Sequence, residues 1–490
     1  MNLASVLLRH AESRPDAVAI VDGDTSLTFG DLEAIAALTA GSLTASGVKP
    51  GDRVAIACWN DADFVRTYLG TLWAGAVAVP INPGSPAAAH AVEMARVGAR
   101  VVVCGAGAEH LLELPGAVSA SALPEAEPVP VEAERDESEL AVLLFTSGTA
   151  GAPRAAMLTH GNLEANISQV QGHPGLQVVP EDVGLATLPF FHVFGLNVAL
   201  GVGLAGGLRG VLLPQFDPAR AVARIREHGV TIFAGVPVMF QALLALSEAE
   251  APADSFASVR LAVSGAAELP RPVADRFRER FGVTIYEGYG LTEAAPIVST
   301  TAVDRAPRHG SIGPPLPGVD VRLVDADGAD VTVGDPGEIW VRGNNVFAGY
   351  WDDPEATARV LHDGWLRTGD VAVSDDEGYL SLVDRLKDLI IVSGFNVYPA
   401  EVEDVVATHP DVAEVAVIGV PSERTGEAVA AFVVPRPGGT APNLASLRDH
   451  VSRRLARYKV PTALHVVEEL PRNQAGKVLR RELAERVAQD

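Results

Sequence analysis

Short β-branched runs alternate, in the early part of the chain, with stretches whose apolar positions recur at helical spacing. Residues 53–59, 76–81, 100–104 and 140–145 are predicted strands, and 64–74 and 87–97 are the predicted helices between them. A strand followed by a crossover helix returns parallel, so this alternation predicts a doubly wound sheet. A second series repeats it, with strands at 184–188, 210–213, 231–234, 260–263 and 284–286 and helices near 218–228 and 270–281. The expectation is two α/β lobes, with the acidic, proline-bearing stretch 123–139 as a surface connector between strands of the first. From about 311 to 383 the pattern changes to short strands and tight turns (DADGAD, SDDEGY), which predicts a small antiparallel β unit. Beyond Arg385 comes a compact α+β segment. It has predicted helices at 399–409 and 444–458, the first with Pro near its start, and strands at 414–420 and 429–434. The predicted organisation is a large N-terminal domain, residues 1–385, and a smaller, mobile C-terminal domain, residues 386–490.

At 490 residues and 48% hydrophobic composition, the chain has ample material for two to four folding units. Its formal charge of −24 narrows its partners. A field of that sign repels phosphate backbones and anionic headgroups, so general nucleic-acid or membrane-surface binding is not expected. Any phosphate must be held locally. The two cysteines, Cys58 and Cys104, lie in or at the end of apolar runs and read as buried thiols. The apolar stretch at the N-terminus is broken by Arg9 and is too short for a signal peptide. Residues 195–208 are the most lipid-like, but a span needs about 20 apolar residues, so a buried helix and a cytoplasmic location are expected. Lysine occurs only at Lys49, Lys387, Lys459 and Lys477 in a chain that otherwise uses Arg. An ammonium is a compact, mobile charge that a guanidinium does not replace, which draws attention to the late lysines.

Candidate chemistry is concentrated in a few segments. LLFTSGTAGAPRAAMLTHGN runs from an apolar strand into Thr146, Ser147, Gly148, Thr149 and Gly151, where hydroxyls and glycine-freed amides can converge on one anion and Arg154 adds charge. It lacks the Gly-Lys-Ser/Thr ending of a Walker loop, and read alone it is a phosphate cradle or a plain turn. In YEGYGLTE, Tyr289 offers a ring to a base, Thr292 a hydroxyl to a phosphate, and Glu293 a hard carboxylate of the kind Mg²⁺ prefers. WLRTGD places Asp370 after a glycine turn, where its carboxylate could accept both hydroxyls of a ribose or simply close a hairpin. DRLKD carries Arg385 and Lys387 at the expected hinge, and PRNQAGK presents Lys477 on a glycine-tipped loop.

In this order and at these separations, TSGTAGAPR, GYGLTE, RTGD, DRLKD and PRNQAGK resemble the adenylate-forming superfamily of acyl-CoA synthetases, luciferases and peptide-synthetase adenylation domains. The resemblance covers nearly the whole chain, and SGFNVYPAEVE is most similar to bacterial fatty acyl-CoA ligases. It implies an ATP-dependent acid–thiol ligase that uses ATP, Mg²⁺ and coenzyme A. Thr146, Ser147, Gly148, Thr149, Gly151 and Arg154 would surround the ATP phosphates. Gly265, Glu287, Gly288 and Tyr289 would receive the nucleotide, and Asp370 and Arg385 the ribose. Thr292 would touch the α-phosphate, and Glu293 and Thr149 would serve Mg²⁺. Lys477 matches the lysine that bridges substrate carboxylate and α-phosphate, where fixed positive charge lowers the repulsion of two anions. Lys387 matches the hinge residue, Gly394 would line the pantetheine tunnel, and His192 matches an aromatic that is reoriented between the two half-reactions. The basic run Arg453, Arg454, Arg457 and Lys459 would meet the CoA phosphates or remain a solvated helix face. Two departures stand out: the usual Lys-Gly of the phosphate loop is Arg154-Ala155, and its second Thr is Ala150.

The expected acid pocket, formed by 190–197, 234–239, 264–267 and 288–291, carries no Lys or Arg, which disfavours a dicarboxylate. Gly235, Gly265 and Gly288 leave room for an alkyl chain, and Val236, Val238 and Met239 are expected to meet it. A medium- or long-chain fatty acid is therefore the expected substrate. The alternatives are an aryl or branched acid, a carrier-protein acceptor in place of CoA, or a nucleotide-binding member without turnover.

Overall fold

The computed structural model describes residues 2–131, 136–146, 154–303, 307–308, 310–385, 388, 390–392, 395–422, 425–438, 441–472 and 478–487, with backbone alone at 384, 385, 395 and 396. The chain divides into two compact units, Met1–Val321 with Val341–Leu366, and Arg322–Trp340 with Arg367–Asp490.

The first unit contains both expected α/β lobes. One is a six-stranded sheet in the order Ala117–Ser119, Ala99–Cys104, Arg53–Ala57, Val77–Pro80, Leu140–Thr146, Arg154–Thr159. Its neighbours are parallel except the last pair, an antiparallel hairpin that ends with Thr146 opposite Arg154. The other is an eight-stranded sheet in the order Ile297–Thr300, Ile285–Gly290, Leu261–Ser264, Ile232–Gly235, Val183–Ala186, Arg209–Leu212, Val18–Asp22, Thr25–Thr28. Only its two edge pairs are antiparallel. The N-terminal hairpin thus joins the second lobe's sheet, pairing Ile20 with Gly210.

Local chemistry explains the helices on that sheet. Asp217 caps Pro218–His228 by accepting from the Arg220 N–H, and Gly229 at φ 63° ends it. Arg271–Phe281 ends likewise at Gly282, φ 72°, a left-handed position that a side chain would strain. Their apolar faces meet in a core of edge-on phenylalanines, Phe233, Phe240, Phe256 and Phe277.

The lipid-like stretch is buried as expected but is wound unusually, as a π-helix over Phe194–Val202 followed by one α-turn, Gly203–Gly206. A β-carbon on Gly195 would lie 2.1 Å from the Pro189 carbonyl oxygen, so glycine alone permits this close start. Among the described residues no helix is long and apolar enough to cross a membrane.

In the second unit, Gly426–Pro435 pairs antiparallel with Val412–Ser422 and parallel with Ala463–Val466. Pro399–Ala407 and Leu444–Ser452 supply Val402, Val406, Leu447 and Val451 to the core beneath. The second of these helices is shorter than the predicted 444–458. The helix ends at Ser452; Leu455 reaches the same core from the non-helical path that follows, and Tyr458 from the single turn Arg457–Lys459. The region 311–383 forms the expected short strands, among them Asp320–Val324, Gly337–Arg342 and Trp365–Ser374.

Candidate active site

Thr146 and Arg154 face each other at the end of their hairpin, with the Thr146 hydroxyl 3.4 Å from the Arg154 carbonyl oxygen. The expected phosphate-binding residues Ser147, Gly148, Thr149 and Gly151, with Ala150, lie between them and outside the described residues. Strand Arg154–Thr159 has a second partner on its other edge. The Met157 N–H donates to the Gly349 carbonyl and the Trp351 N–H to the Ala155 carbonyl, which sets Tyr350 beside Arg154. The Arg154 guanidinium lies 5.7 Å from the Tyr350 ring centroid, and its Nε donates to Asp353 Oδ2 at 3.2 Å. Arg96 approaches the same carboxylate at 3.8 Å. Asp353 is held below the usual carboxylate range by the Ala356 N–H it caps and, beyond that, by these two arginines.

Tyr350 connects this cluster to the second motif. Its hydroxyl donates to Glu293 Oε1 at 2.7 Å. Burial, and then the neighbouring Glu293 charge, push the phenol far above its ordinary pKa, so it stays a donor. Glu293 sits in the turn Thr292–Ala294, beside Thr292. Three buried amides grip the chain just after it: Asn345 Nδ2 donates to the Ala294 carbonyl at 2.8 Å, Asn197 Nδ2 to Ala295 at 2.7 Å, and Asn166 Nδ2 to Ile297 at 2.8 Å. A half-buried carboxylate held this way is a hard oxygen ligand with a fixed direction. Among the described residues no group of three His, Cys, Asp or Glu side chains could hold a metal. A single such carboxylate is the ligand Mg²⁺ takes in its usual enzymatic mode, in which one or two carboxylates act with substrate phosphates.

Gly265, Glu287, Gly288 and Tyr289 lie at the carboxyl ends of adjacent parallel strands, the customary ligand side of such a sheet. A β-carbon on Gly265 would stand 2.9 Å from the Phe194 ring and 3.4 Å from the Gly288 carbonyl oxygen. Tyr289 is buried opposite Ser299. The Glu287 carboxylate is turned into the protein, accepting from the Leu269 N–H at 3.1 Å, and burial with nearby Glu268 pushes its pKa up to about 7. His192 is exposed, 4.9 Å from the Phe191 ring, yet the protein packed around it lowers its pKa and favours the neutral imidazole.

In the second unit Asp370 and Arg385 are register partners on antiparallel strands. Asp370 is positioned by a residue that the motifs did not single out: buried Glu338 accepts from the Gly369 N–H at 3.1 Å and from Arg367 and Trp340. Arg385 is described by its backbone alone, and Lys387, Gly394 and Lys477 lie outside the described residues. Of the basic run, Arg453 is paired with Asp449 and Lys459 with Glu401. Sequence reasoning also missed Tyr350 and Asp353. The Asp-Pro helix start locates Asp353 as a cap, but nothing local points to its partner Arg154, 199 residues away.

An apolar cavity opens between the eight-stranded sheet and the π-helix. Phe194, Val198 and Val202 line it from the helix, and Ala234 and Val263 from the sheet. Every described lining residue is apolar or glycine. It begins at the expected pocket, sharing Phe194 and Ala234 with it, but runs deeper. Val236 and Met239 pack instead on Leu188, and Val238 is 37% exposed, so these three do not line it.

The folded core and the clustered motifs define a nucleotide-using α/β enzyme, and comparison with known proteins identifies the class. The model of the AMP-binding enzyme family matches residues 7–351, and that of the AMP-binding enzyme C-terminal domain matches 401–477. A feruloyl-CoA synthase of an Amycolatopsis species is 40% identical, over 99% of each chain. A long-chain-fatty-acid–CoA ligase of Escherichia coli O157:H7 is 37% identical, over 96% of this chain and 91% of its own. The ATP-bound crystal structure of MatB from Rhodopseudomonas palustris superposes with a TM-score of 0.90 at 32% identity, covering 99% of each chain. The chain belongs to the AMP-binding enzyme family, within the adenylate-forming superfamily that its motifs resemble.

Proposed function

We propose that the chain is an AMP-forming acyl-CoA synthetase that activates an aliphatic monocarboxylic acid of medium or long chain. In the first half-reaction an oxygen of the carboxylate attacks the α-phosphorus of ATP. The bond from that phosphorus to the bridging oxygen breaks, and pyrophosphate leaves. In the second the thiol of CoA, losing its proton, attacks the acyl carbon, and AMP departs. In this reading Thr146, Arg154 and Thr292 would meet phosphate oxygens, and Asp370 with Arg385 would take the ribose. Mg²⁺, when bound, neutralises phosphate charge, and Glu293 would hold it, joined in this reading by Thr149. Lys477 supplies the cation for the first step, Lys387 the hinge, Gly394 the pantetheine passage, and His192 the residue that moves between steps.

The cavity carries the substrate half of this reading. A hydroxycinnamate buried there would bring a phenolic hydroxyl into a cavity whose described lining has no polar side chain, and an unpaired buried hydroxyl costs about 1–3 kcal/mol. The full-length likeness to a feruloyl-CoA synthase favours an aryl acid as the second reading.

Pyrophosphate release and acyl-CoA formation, measured with ATP, CoA and a panel of acids, test the proposal. Aliphatic acids are expected to exceed ferulate. Ferulate as the best substrate overturns the substrate class, acyl transfer only to a carrier protein overturns the acceptor, and no pyrophosphate with any acid overturns turnover itself. Lys477→Ala is expected to slow pyrophosphate release about 100-fold or more, as for other lost transition-state donors. A variant as fast as the parent removes that assignment.

A further inference from the structure

The rows of residues along the cavity mark its two ends. Parallel strands bring Gly210, Gly184, Ile232 and Leu261 into one row, each paired with the next. Two residues further on, Ala186, Ala234 and Val263 face the same cavity, and two beyond Val263 stands Gly265, against Phe194 and the nucleotide motif. Four residues of strand separate Gly265 from the far row, a depth of about 13 Å.

At that far row three glycines from three segments surround one side chain. A β-carbon on Gly184 would lie 3.3 Å from Leu208 Cδ2, one on Gly203 would lie 3.4 Å from Cδ1, and one on Gly210 would lie 4.0 Å from Cδ1. Leu208 is itself only 6% exposed and lines the cavity. Its place is set by the αL turn at Gly207, φ 78°, and by its N–H donating to the Gly203 carbonyl at 3.1 Å. The glycines leave a niche, and the isobutyl group of Leu208 fills it.

We propose that Leu208 is the length gauge of the acyl site, its methyl groups forming the floor on which the ω-end of a straight-chain acid of about ten carbons comes to rest. An extended alkyl chain advances about 1.3 Å per carbon, from bonds of about 1.5 Å in staggered torsions, so about 13 Å of depth holds about ten. Each methylene added up to the floor removes apolar surface from water and raises kcat/KM about fourfold. Each one beyond it meets Leu208 and the sheet backbone behind it. Because the side chain is held by packing alone, while its backbone is fixed by the N–H bond to Gly203, truncation opens the niche directly to the cavity.

This inference rests on the acyl-CoA synthetase reading. The test is the kcat/KM profile for saturated acids from six to eighteen carbons, for the parent, Leu208→Ala and Leu208→Phe, with acyl-CoA measured by mass and folding checked by circular dichroism. The parent is expected to peak near ten carbons, Leu208→Ala two to three carbons later, and Leu208→Phe earlier. Leu208→Val, a smaller truncation, keeps the profile measurable if the alanine variant does not fold. An optimum that stays in place in every folded variant, or a uniform fall for all acids, overturns the gauge. Absence of activity toward every acid in the parent instead overturns the underlying reading.

Discussion

Tyr350→Phe isolates the hydrogen bond that aims the proposed Mg²⁺ carboxylate. The substitution keeps the ring against which the Arg154 guanidinium rests at 5.7 Å and deletes only the hydroxyl that donates to Glu293 Oε1 at 2.7 Å. A hydrogen bond to a charged group contributes about 1.5–3 kcal/mol. Glu293 is half-buried, so water replaces part of the lost bond and the lower figure applies, which corresponds to about tenfold in an equilibrium constant. The carboxylate keeps its charge but loses its direction. The effect should therefore fall on metal-dependent nucleotide binding. ATP–pyrophosphate exchange, followed against Mg²⁺ at saturating acid, is expected to show an apparent Mg²⁺·ATP KM about tenfold higher, with a much smaller change in kcat. The melting temperature should fall by only a few degrees, since one partly exposed bond is lost. If the Mg²⁺ dependence of Tyr350→Phe overlays that of the parent, Tyr350 does not position Glu293 for the metal. If kcat and KM suffer alike for every acid and metal concentration, the hydroxyl serves the fold and not the site.

Two further outcomes follow from the same geometry. Glu287, with a folded pKa of about 7 against an ordinary value of 4.5, binds its proton more tightly in the folded than in the unfolded state. Its ionisation therefore lowers stability as pH rises from about 4.5 through about 7, by up to about 3 kcal/mol, and the loss is constant above that. Glu287→Gln retains an acceptor for the Leu269 N–H and should raise the melting temperature at pH 8 more than at pH 5. The same shift at both values would contradict the assignment. Gly265→Ala puts a methyl 2.9 Å from the Phe194 ring, an overpacking worth about 1–3 kcal/mol, and should raise the KM for the acid about tenfold. An unchanged acid KM in the folded variant would separate Gly265 from the acyl entrance.

Much of this protein is written locally. The alternation of β-branched runs with helical periods marks the parallel strands, because those signals act over a few residues, and the Asp-Pro and terminal-Gly signals bound the helices. The motif series names the chemistry for the same reason: hydroxyls, glycines and carboxylates cluster within single turns. Tertiary structure alone decided the rest. The hairpin Val18–Asp22 and Thr25–Thr28 joins a sheet whose nearest strand, Arg209–Leu212, lies far along the chain, and that pairing depends on register across space. Tyr350 reaches Glu293 across 57 residues, and Arg154 reaches Asp353 across 199, through strand edges that no short window contains. The apolar cavity is built largely from alternate residues of several strands and one face of a π-helix. Leu208 is one apolar residue among many until Gly184, on a separate strand, closes around it together with the nearby Gly203 and Gly210. Local propensity selects elements over a few residues, whereas the packing of their faces, which depends on all of them at once, selects what those elements enclose.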